Sequence, residues 1–89
     1  MSLIEGFHVR KMEDGKDKIN YNKRYRWKIT IRLDGEIDKG DIVWVHYKNG
    51  ERDLKSRVLV VDIIESDEGA LRSVIKVSKK FNKVNLDSN

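Results

Sequence analysis

Two histidines are the only side chains of this chain whose ordinary pKa lies near neutrality, since cysteine is absent. His8 and His46 are therefore the candidates for acid–base or metal chemistry, but neither has a partner group in a recognisable motif. The acidic side chains of residues 34–41 resemble a loose cation loop without the closing carboxylate of an EF-hand. Two glycines in that segment are not spaced as in a phosphate-binding loop. We expect no catalytic activity, no metal and no cofactor.

The most informative pattern is an alternation of apolar and polar side chains over residues 19–33. One parity carries Tyr21, Tyr25 and Trp27 together with isoleucines, so we expect Tyr25 and Trp27 in the core. The other parity carries a basic stripe, defined as Arg24, Arg26, Lys28 and Arg32. Same-parity side chains lie about 6.5 to 7 Å apart along a strand, close to the spacing of successive phosphates. The stripe therefore favours contact with a nucleic acid backbone; a solvated face that protects an edge strand is the alternative.

A second candidate surface lies in residues 37–50. If the alternating valines there face the core, Trp44 and His46 face outward, where Trp44 can stack on a base or anchor a protein interface. Burial of Trp44 under a neighbouring segment is the other possibility. Additional positive charge for RNA binding is expected from the C-terminal lysines Lys76, Lys79, Lys80 and Lys83.

The elements that must position these side chains are predicted to be strands of one domain over residues 1–80, followed by a mobile polar tail over 81–89. The chain has 89 residues and no proline, and its Asp14-Gly15, Asp34-Gly35 and Asn49-Gly50 pairs are typical of hairpin turns. We expect residues 19–33 to split near Asn22, residues 57–64 to form a central strand covered on both faces, and residues 71–77 to form a strand rather than a helix.

Charge is strongly segregated along the sequence, although the formal net charge is only +4. Residues 10–32 carry nine basic and three acidic side chains, residues 33–71 five and ten, and residues 72–89 five and one. Such segregation indicates an anionic partner for the basic segments. The absence of cysteine, of a signal peptide and of a long apolar segment predicts a cytoplasmic protein without a membrane partner.

Residues 37–64 resemble the opening of KOW-type and related Src-homology-three-like β-barrels of translation and transcription proteins. The resemblance rests on Lys39-Gly40-Asp41, on Val43 and Val45, and on the apolar run 58–64. It implies a small barrel that binds RNA. A small basic chain rich in Lys and Ile, without Cys or Gln, is also similar to accessory proteins of archaeal ribosomes and of heat-adapted organisms.

These observations predict an all-β fold, either a small five-stranded barrel or a strongly twisted meander, with a flexible basic C-terminal segment. The expected function is non-catalytic binding of RNA as a small ribosomal or ribosome-associated protein, with no small-molecule substrate. The alternative is a protein-interaction module, viral or homo-oligomeric, that uses an exposed strand edge and Trp44. Architectural DNA binding is a third possibility.

Overall fold

The computed structural model of the protein describes residues 2–66 and 72–81. Within these ranges the chain is all-β, as predicted, with no α-helix and a single 3₁₀ turn at Ile31–Leu33. No helix in these ranges is long and apolar enough to cross a membrane. The strands are β1 (Ser2–Lys11), β2 (Asp17–Ile19), β3 (Tyr25–Lys28), β4 (Ile42–Asn49), β5 (Arg52–Glu65) and β6 (Val74–Lys79).

All strands belong to one antiparallel sheet with the order β2-β1-β5-β4-β6. β3 pairs with residues 3–6 of β1, on the same edge of β1 as β2, so β3 continues the edge that β2 begins. The predicted hairpin turns at Asp14-Gly15 and Asn49-Gly50 are confirmed, and both glycines have positive φ. Asp34-Gly35 makes no hairpin; it lies in the loop between the 3₁₀ turn and β4.

The expectation of a closed five-stranded barrel is wrong, because the six-stranded sheet is open. Its two edges approach each other at one isolated bridge, between Lys28 and Ser73, where the Lys28 N–H donates to the Arg72 carbonyl at 2.9 Å. The strand order also differs from a meander. The long apolar strand β5 lies at the centre, between β1 and β4, so β1 pairs on that side with a strand that is distant in sequence.

The core lies on one face of this sheet. Val43 and Val45 of β4 are fully buried, as the alternation predicts, and Val43 pairs with Val58 of β5. Trp27 of β3 is buried in the same cluster. The prediction that β5 is covered on both faces holds only for the core face. Leu59 points to the outer face, and its side chain is only half-buried by the residues that the structure describes.

Close approach of β1 to β5 requires a glycine at position 6. A Cβ at Gly6 would lie 2.3 Å from the Leu59 carbonyl oxygen and 2.5 Å from Val58 Cγ1. The register between the two strands shifts next to this residue, between Glu5 and Gly6. The bulge therefore lets the backbones approach closely and fixes which side chains of β1 face the core.

The predicted strand over residues 19–33 is split, as expected near Asn22, but it also ends earlier than predicted. Residues 20–24 form a turn in which the Asn22 N–H donates to Asn20 Oδ1 at 3.0 Å. After Lys28 the Ile29 N–H bonds to the Ser2 carbonyl, and the chain then enters the 3₁₀ turn. Ile31 is consequently 95% exposed instead of lying in the core.

The prediction that residues 71–77 form a strand is confirmed from Val74 onward, where β6 pairs with β4. The proposed basic tail falls on residues 81–89, of which only Phe81 lies within the described ranges. Lys83 therefore lies outside the described residues.

Candidate nucleic-acid interface at the β2–β3 edge

Two cations of the basic stripe share one carboxylate. Arg26 Nε donates to Glu5 Oε2 at 2.8 Å, and Arg24 Nη1 donates to Glu5 Oε1 at 3.3 Å. Glu5 is mostly buried, whereas both guanidinium groups are about half exposed, with side-chain accessibilities of 51%. Each arginine uses one nitrogen in these contacts, so the remaining N–H donors of both forks stay accessible. Glu5 therefore orients the pair and cancels one of its two charges.

The other two cations of the stripe lie elsewhere. Lys28 is at the far end of β3, in a depression that it shares with Asp34 and Glu65. Arg32 is exposed on the 3₁₀ turn and lines a different depression together with Glu36. Because the chain leaves the sheet after Lys28, Arg32 is separated from the stripe, and Lys28, although it follows Arg26 on β3, lies at the strand end beside Asp34 and Glu65.

Aromatic side chains lie beside the paired arginines. Tyr21 is 66% and Tyr25 is 40% exposed, so the expectation that Tyr25 lies in the core is wrong. The Lys23 ammonium nitrogen lies 5.1 Å from the centre of the Tyr25 ring. We call the following five residues, all from the β2–β3 turn and the start of β3, the edge surface: Tyr21, Lys23, Arg24, Tyr25 and Arg26. Apart from the bridge at Lys28, β3 pairs only with β1 among the described strands, so this surface lies on a free edge.

The edge surface is fixed to the sheet through Phe7 of β1. The Tyr21 ring meets the Phe7 ring edge to face at 5.1 Å, and the Arg24 guanidinium lies 5.6 Å from the same ring. Both geometries fall in the range of favourable aromatic and cation–π contacts. The turn that carries the exposed tyrosine is therefore anchored at its tip and at its end.

On the core side of the same edge, His8 is surrounded by aromatic rings. The rings of Tyr25, Trp27 and Tyr47 lie edge-on to it at 5.1, 5.4 and 5.8 Å. His8 Nδ1 forms a hydrogen bond with Ser56 Oγ at 2.9 Å. Burial lowers the pKa of His8 below its ordinary value, because the charged imidazolium is poorly solvated there. Burial therefore favours the neutral form of the ring.

A cleft of about 740 Å³ opens beside His8, between β2 and the ends of β1, β4 and β5. Among the described residues, its walls contain two cations, two amides, three hydroxyl groups and aromatic rings, and no carboxylate. The lining residues that matter here are His8, Arg10, Lys18, Asn20, Tyr47 and Ser56. The cleft adjoins the edge surface, because Tyr21 of the edge surface and its neighbour Asn22 both line the cleft.

Trp44 and His46 lie on the other face of the sheet, as the alternation predicts. Trp44 is half-buried and pairs in register with Arg57 on one side and Lys76 on the other. Arg57 is held by Asp17, whose carboxylate accepts from Arg57 Nη2 at 2.9 Å; that hydrogen bond lowers the pKa of Asp17. The backbone carbonyl of His46 accepts the indole N–H of Trp27 at 3.1 Å.

The two lysines of β6 lie on the sheet edge opposite to the edge surface. Lys76 and Lys79 are exposed, and they pair in register with residues of β4, not with β2 or β3. They therefore lie on the β6 edge, which among the described residues meets β3 at the Lys28–Ser73 bridge, and they are not part of the edge surface.

Lys80 forms a structural contact with a buried carboxylate. Asp41 has 0% exposure and accepts from Lys80 Nζ, from the Phe81 N–H at 2.8 Å and from the Asp38 N–H at 2.8 Å. Burial by itself would raise the pKa of Asp41, but these hydrogen bonds lower it below its ordinary value. The pKa of Lys80 is raised, mainly by the hydrogen bond to Asp41. Asp41 thus ties the start of β4 to the chain after β6.

Comparison with known proteins places the chain in a family by sequence. A model described as "Family of unknown function (DUF5839)" matches residues 1–84, nearly the whole chain. The chain belongs to this family. No curated protein and no solved structure matches it. The match extends across the edge surface and the cleft, and the family description names no activity for either.

Sequence reasoning found the edge surface in part but missed the cleft. The alternation of residues 7–10 and the Asp14-Gly15 turn were sufficient signals for the β1–β2 hairpin, and that hairpin places Arg10 opposite Lys18. The contribution of Tyr47 and Ser56 depends on β1 pairing with β5, a contact between distant segments that no local pattern specifies.

Proposed function

We propose that this protein binds single-stranded RNA without catalysis, through the edge surface. The observation that carries the proposal is the juxtaposition, on one free strand edge, of two exposed tyrosines with three exposed cations. Proteins that bind single strands combine such aromatic platforms with a positive surface that follows the backbone. An RNA of ribosomal particles is the partner that the sequence resemblance favours.

Stacking supports the proposal. Tyr21 and Tyr25 stand on either side of Lys23 in the sequence, and their side chains are 66% and 40% exposed to solvent. A base stacked on an aromatic side chain contributes about 1 to 3 kcal/mol. Two rings therefore provide enough binding free energy for sequence-tolerant recognition when phosphates are held nearby.

Electrostatics supports it as well. Arg24 lies at the end of the β2–β3 turn and Arg26 lies on β3, and both donate to the same Glu5 carboxylate. Two guanidinium groups held on one carboxylate can contact neighbouring phosphates of one strand. Because one carboxylate orients both side chains, less rotamer freedom is lost when an RNA strand binds.

The direct test is the affinity of the full chain for a fluorescein-labelled U12 oligonucleotide, measured by fluorescence anisotropy at 0.1 M salt. Replacing both arginines by glutamine (Arg24→Gln, Arg26→Gln) is expected to weaken binding roughly tenfold. The matched control, Lys76→Gln with Lys79→Gln, removes the same charge from the opposite edge and is expected to change the affinity less than twofold. Equal losses in both variants, or no binding by the parent, would contradict the proposal.

Association with ribosomal particles is tested separately by cosedimentation. The parent is expected to sediment with salt-washed ribosomal subunits, and the double arginine variant is expected to remain in the supernatant. If the parent binds U12 but does not cosediment, single-strand binding stands and the ribosomal assignment is rejected.

A second candidate function is protein interaction through the outer face. Ile42 and Trp44 of β4 lie beside Leu59 and Arg57 of β5 on that face, and Trp44 is half-buried there. The observation that favours this function is an apolar row next to the exposed edge strand β6. A concentration-dependent dimer in sedimentation velocity, abolished by Trp44→Ser, is the result expected for a homo-oligomer of this kind.

A further inference from the structure

We infer that the cleft beside His8 receives one unpaired nucleotide of the bound RNA, with its phosphate between Arg10 and Lys18 and its base against His8 and Tyr47. This inference rests on the proposed function and adds to it a specificity site. The edge surface holds the strand by stacking and charge without reading its sequence, whereas the cleft contacts the hydrogen-bonding edge of one base.

The cationic end of the cleft is unfavourable without an anion. Arg10 of β1 and Lys18 of β2 are directly opposed in the antiparallel register, and like charges in that position destabilise a sheet. Neither side chain forms an ion pair with the residues that the structure describes, and both are exposed. Asp17, the acidic neighbour of Lys18, is bound to Arg57 instead. A phosphate between the two cations relieves their repulsion.

The inner end of the cleft offers hydrogen-bonding groups for a base. His8 uses Nδ1 for Ser56, and its Nε2 makes no hydrogen bond to the residues in the described ranges. Asn20 Oδ1 accepts the Asn22 N–H, which leaves the Asn20 amide N–H donors to the cleft. A neutral imidazole nitrogen with a fixed ring and an amide group form a polar pair suited to the edge of one base.

The two ends are separated by a suitable distance. His8 and Arg10 are two residues apart on β1, on the same side of the strand, which places their Cβ atoms about 6.5 to 7 Å apart. The cleft volume of about 740 Å³ lies within the range of small-ligand sites. A phosphate alone would leave the polar inner end unused, and the cationic end excludes a cationic ligand. A nucleotide fits both ends.

The test is a titration of the ¹⁵N-labelled full chain, followed by amide chemical shifts, with UMP, AMP, uridine and inorganic phosphate. A nucleotide is expected to shift the amides of both His8 and Lys18, with a millimolar dissociation constant. Inorganic phosphate is expected to shift only the amides near Arg10 and Lys18, and uridine to bind at least fivefold more weakly than UMP. Shifts confined to residues 24–26, or shifts at Lys18 alone with every ligand, would overturn the inference.

Substitution separates this inference from the proposed function. Lys18→Gln is expected to weaken UMP binding about tenfold. Lys16→Gln, the same change two residues earlier in the β1–β2 turn and outside the cleft, is expected to leave it unchanged. For longer RNA, we expect the parent to prefer one homopolymer over another by at least fivefold and Ser56→Ala to reduce that preference.

The outcomes are distinguishable. If the parent binds U12 and loses affinity on Arg24→Gln with Arg26→Gln, but Lys18→Gln has no effect beyond that of Lys16→Gln, the cleft is not a nucleotide site and the proposed function stands. If the parent binds UMP at the cleft but no oligonucleotide, RNA binding is rejected and the cleft is a site for free nucleotides. If it binds neither, both are rejected.

Discussion

The substitution Asp41→Asn replaces a buried carboxylate by an amide, and its effect on the free energy of unfolding follows directly from the contacts of Asp41. Asp41 accepts two backbone N–H groups at 2.8 Å, one at each carboxylate oxygen, and the Lys80 ammonium. Asparagine has one acceptor oxygen, so in either orientation its NH₂ group faces one of the two N–H donors. A buried donor left without an acceptor costs roughly 1 to 3 kcal/mol.

Loss of the ion pair adds less, because half of the Lys80 side chain is exposed to solvent. Exposed pairs contribute roughly 0.2 to 1 kcal/mol. We therefore expect Asp41→Asn to lower the free energy of unfolding by roughly 1 to 4 kcal/mol at pH 7. This is a large fraction of the stability of a domain of this size.

The assay is urea unfolding followed by tryptophan fluorescence, with the slope against urea checked for constancy. The control is Asp38→Asn, which removes a carboxylate that is 68% exposed and contacts the same Lys80, and it is expected to cost less than about 0.5 kcal/mol. Because the pKa of Asp41 is lowered in the folded state, its contribution is complete above the ordinary value of 3.8 and is lost as the pH falls below that value. The difference between the parent and Asp41→Asn should therefore shrink below about pH 4. Equal stabilities of Asp41→Asn and Asp38→Asn at pH 7 would refute this account of the Asp41 contacts.

Three further predictions follow from individual contacts. Gly6→Ala is expected to lower the free energy of unfolding by more than about 3 kcal/mol, because its methyl group would overlap the Leu59 carbonyl. Gly50 has open space around it, so the control Gly50→Ala is expected to lower it by about 1 kcal/mol. Urea unfolding measures both changes. The parent is expected to lose stability from pH 7 to pH 5, because the lowered pKa of His8 in the folded state means that the unfolded state binds the proton first. His8→Gln is expected to flatten this part of the plot of stability against pH. An unchanged plot would contradict the burial of His8. Glu5→Gln is expected to raise the affinity for U12 roughly two- to threefold at low salt, because it removes the negative charge between the two arginines. A loss of affinity would contradict this and would mean that orientation of the arginines by the carboxylate matters more than its charge.

The strands, and which of their side chains face the core, were predictable from local sequence patterns. The alternation around Val43 and Val45 specified both the strand β4 and its buried face, and the Asn49-Gly50 pair specified its hairpin with β5. Such features depend on residues close in sequence, so they require no knowledge of the remaining fold.

The remaining features depend on contacts between distant segments. Ile31 continues the apolar parity of β3 but is exposed, because the chain turns after Ile29 bonds to Ser2. Lys80 looked like a free cation in the sequence, and its engagement by Asp41 requires the end of β6 to lie beside the start of β4. The open sheet likewise depends on which strands stay at its two edges, β2 with β3 on one side and β6 on the other, and the local pattern does not determine this.

The measurement that tests RNA binding by the edge surface most directly is the salt dependence of U12 affinity in the parent and in the double variant Arg24→Gln, Arg26→Gln. Five cations lie on the edge surface and at the mouth of the cleft: Arg10, Lys18, Lys23, Arg24 and Arg26. Glu5 cancels one of these charges, which leaves a net charge of four. Neutralising roughly four phosphates predicts a slope of log affinity against log salt of roughly −2.8 for a single strand, and removing both arginines predicts roughly −1.4. A parent slope near zero, or the same slope in both proteins while the variant remains folded by circular dichroism, would contradict the claim that these arginines contact the RNA backbone.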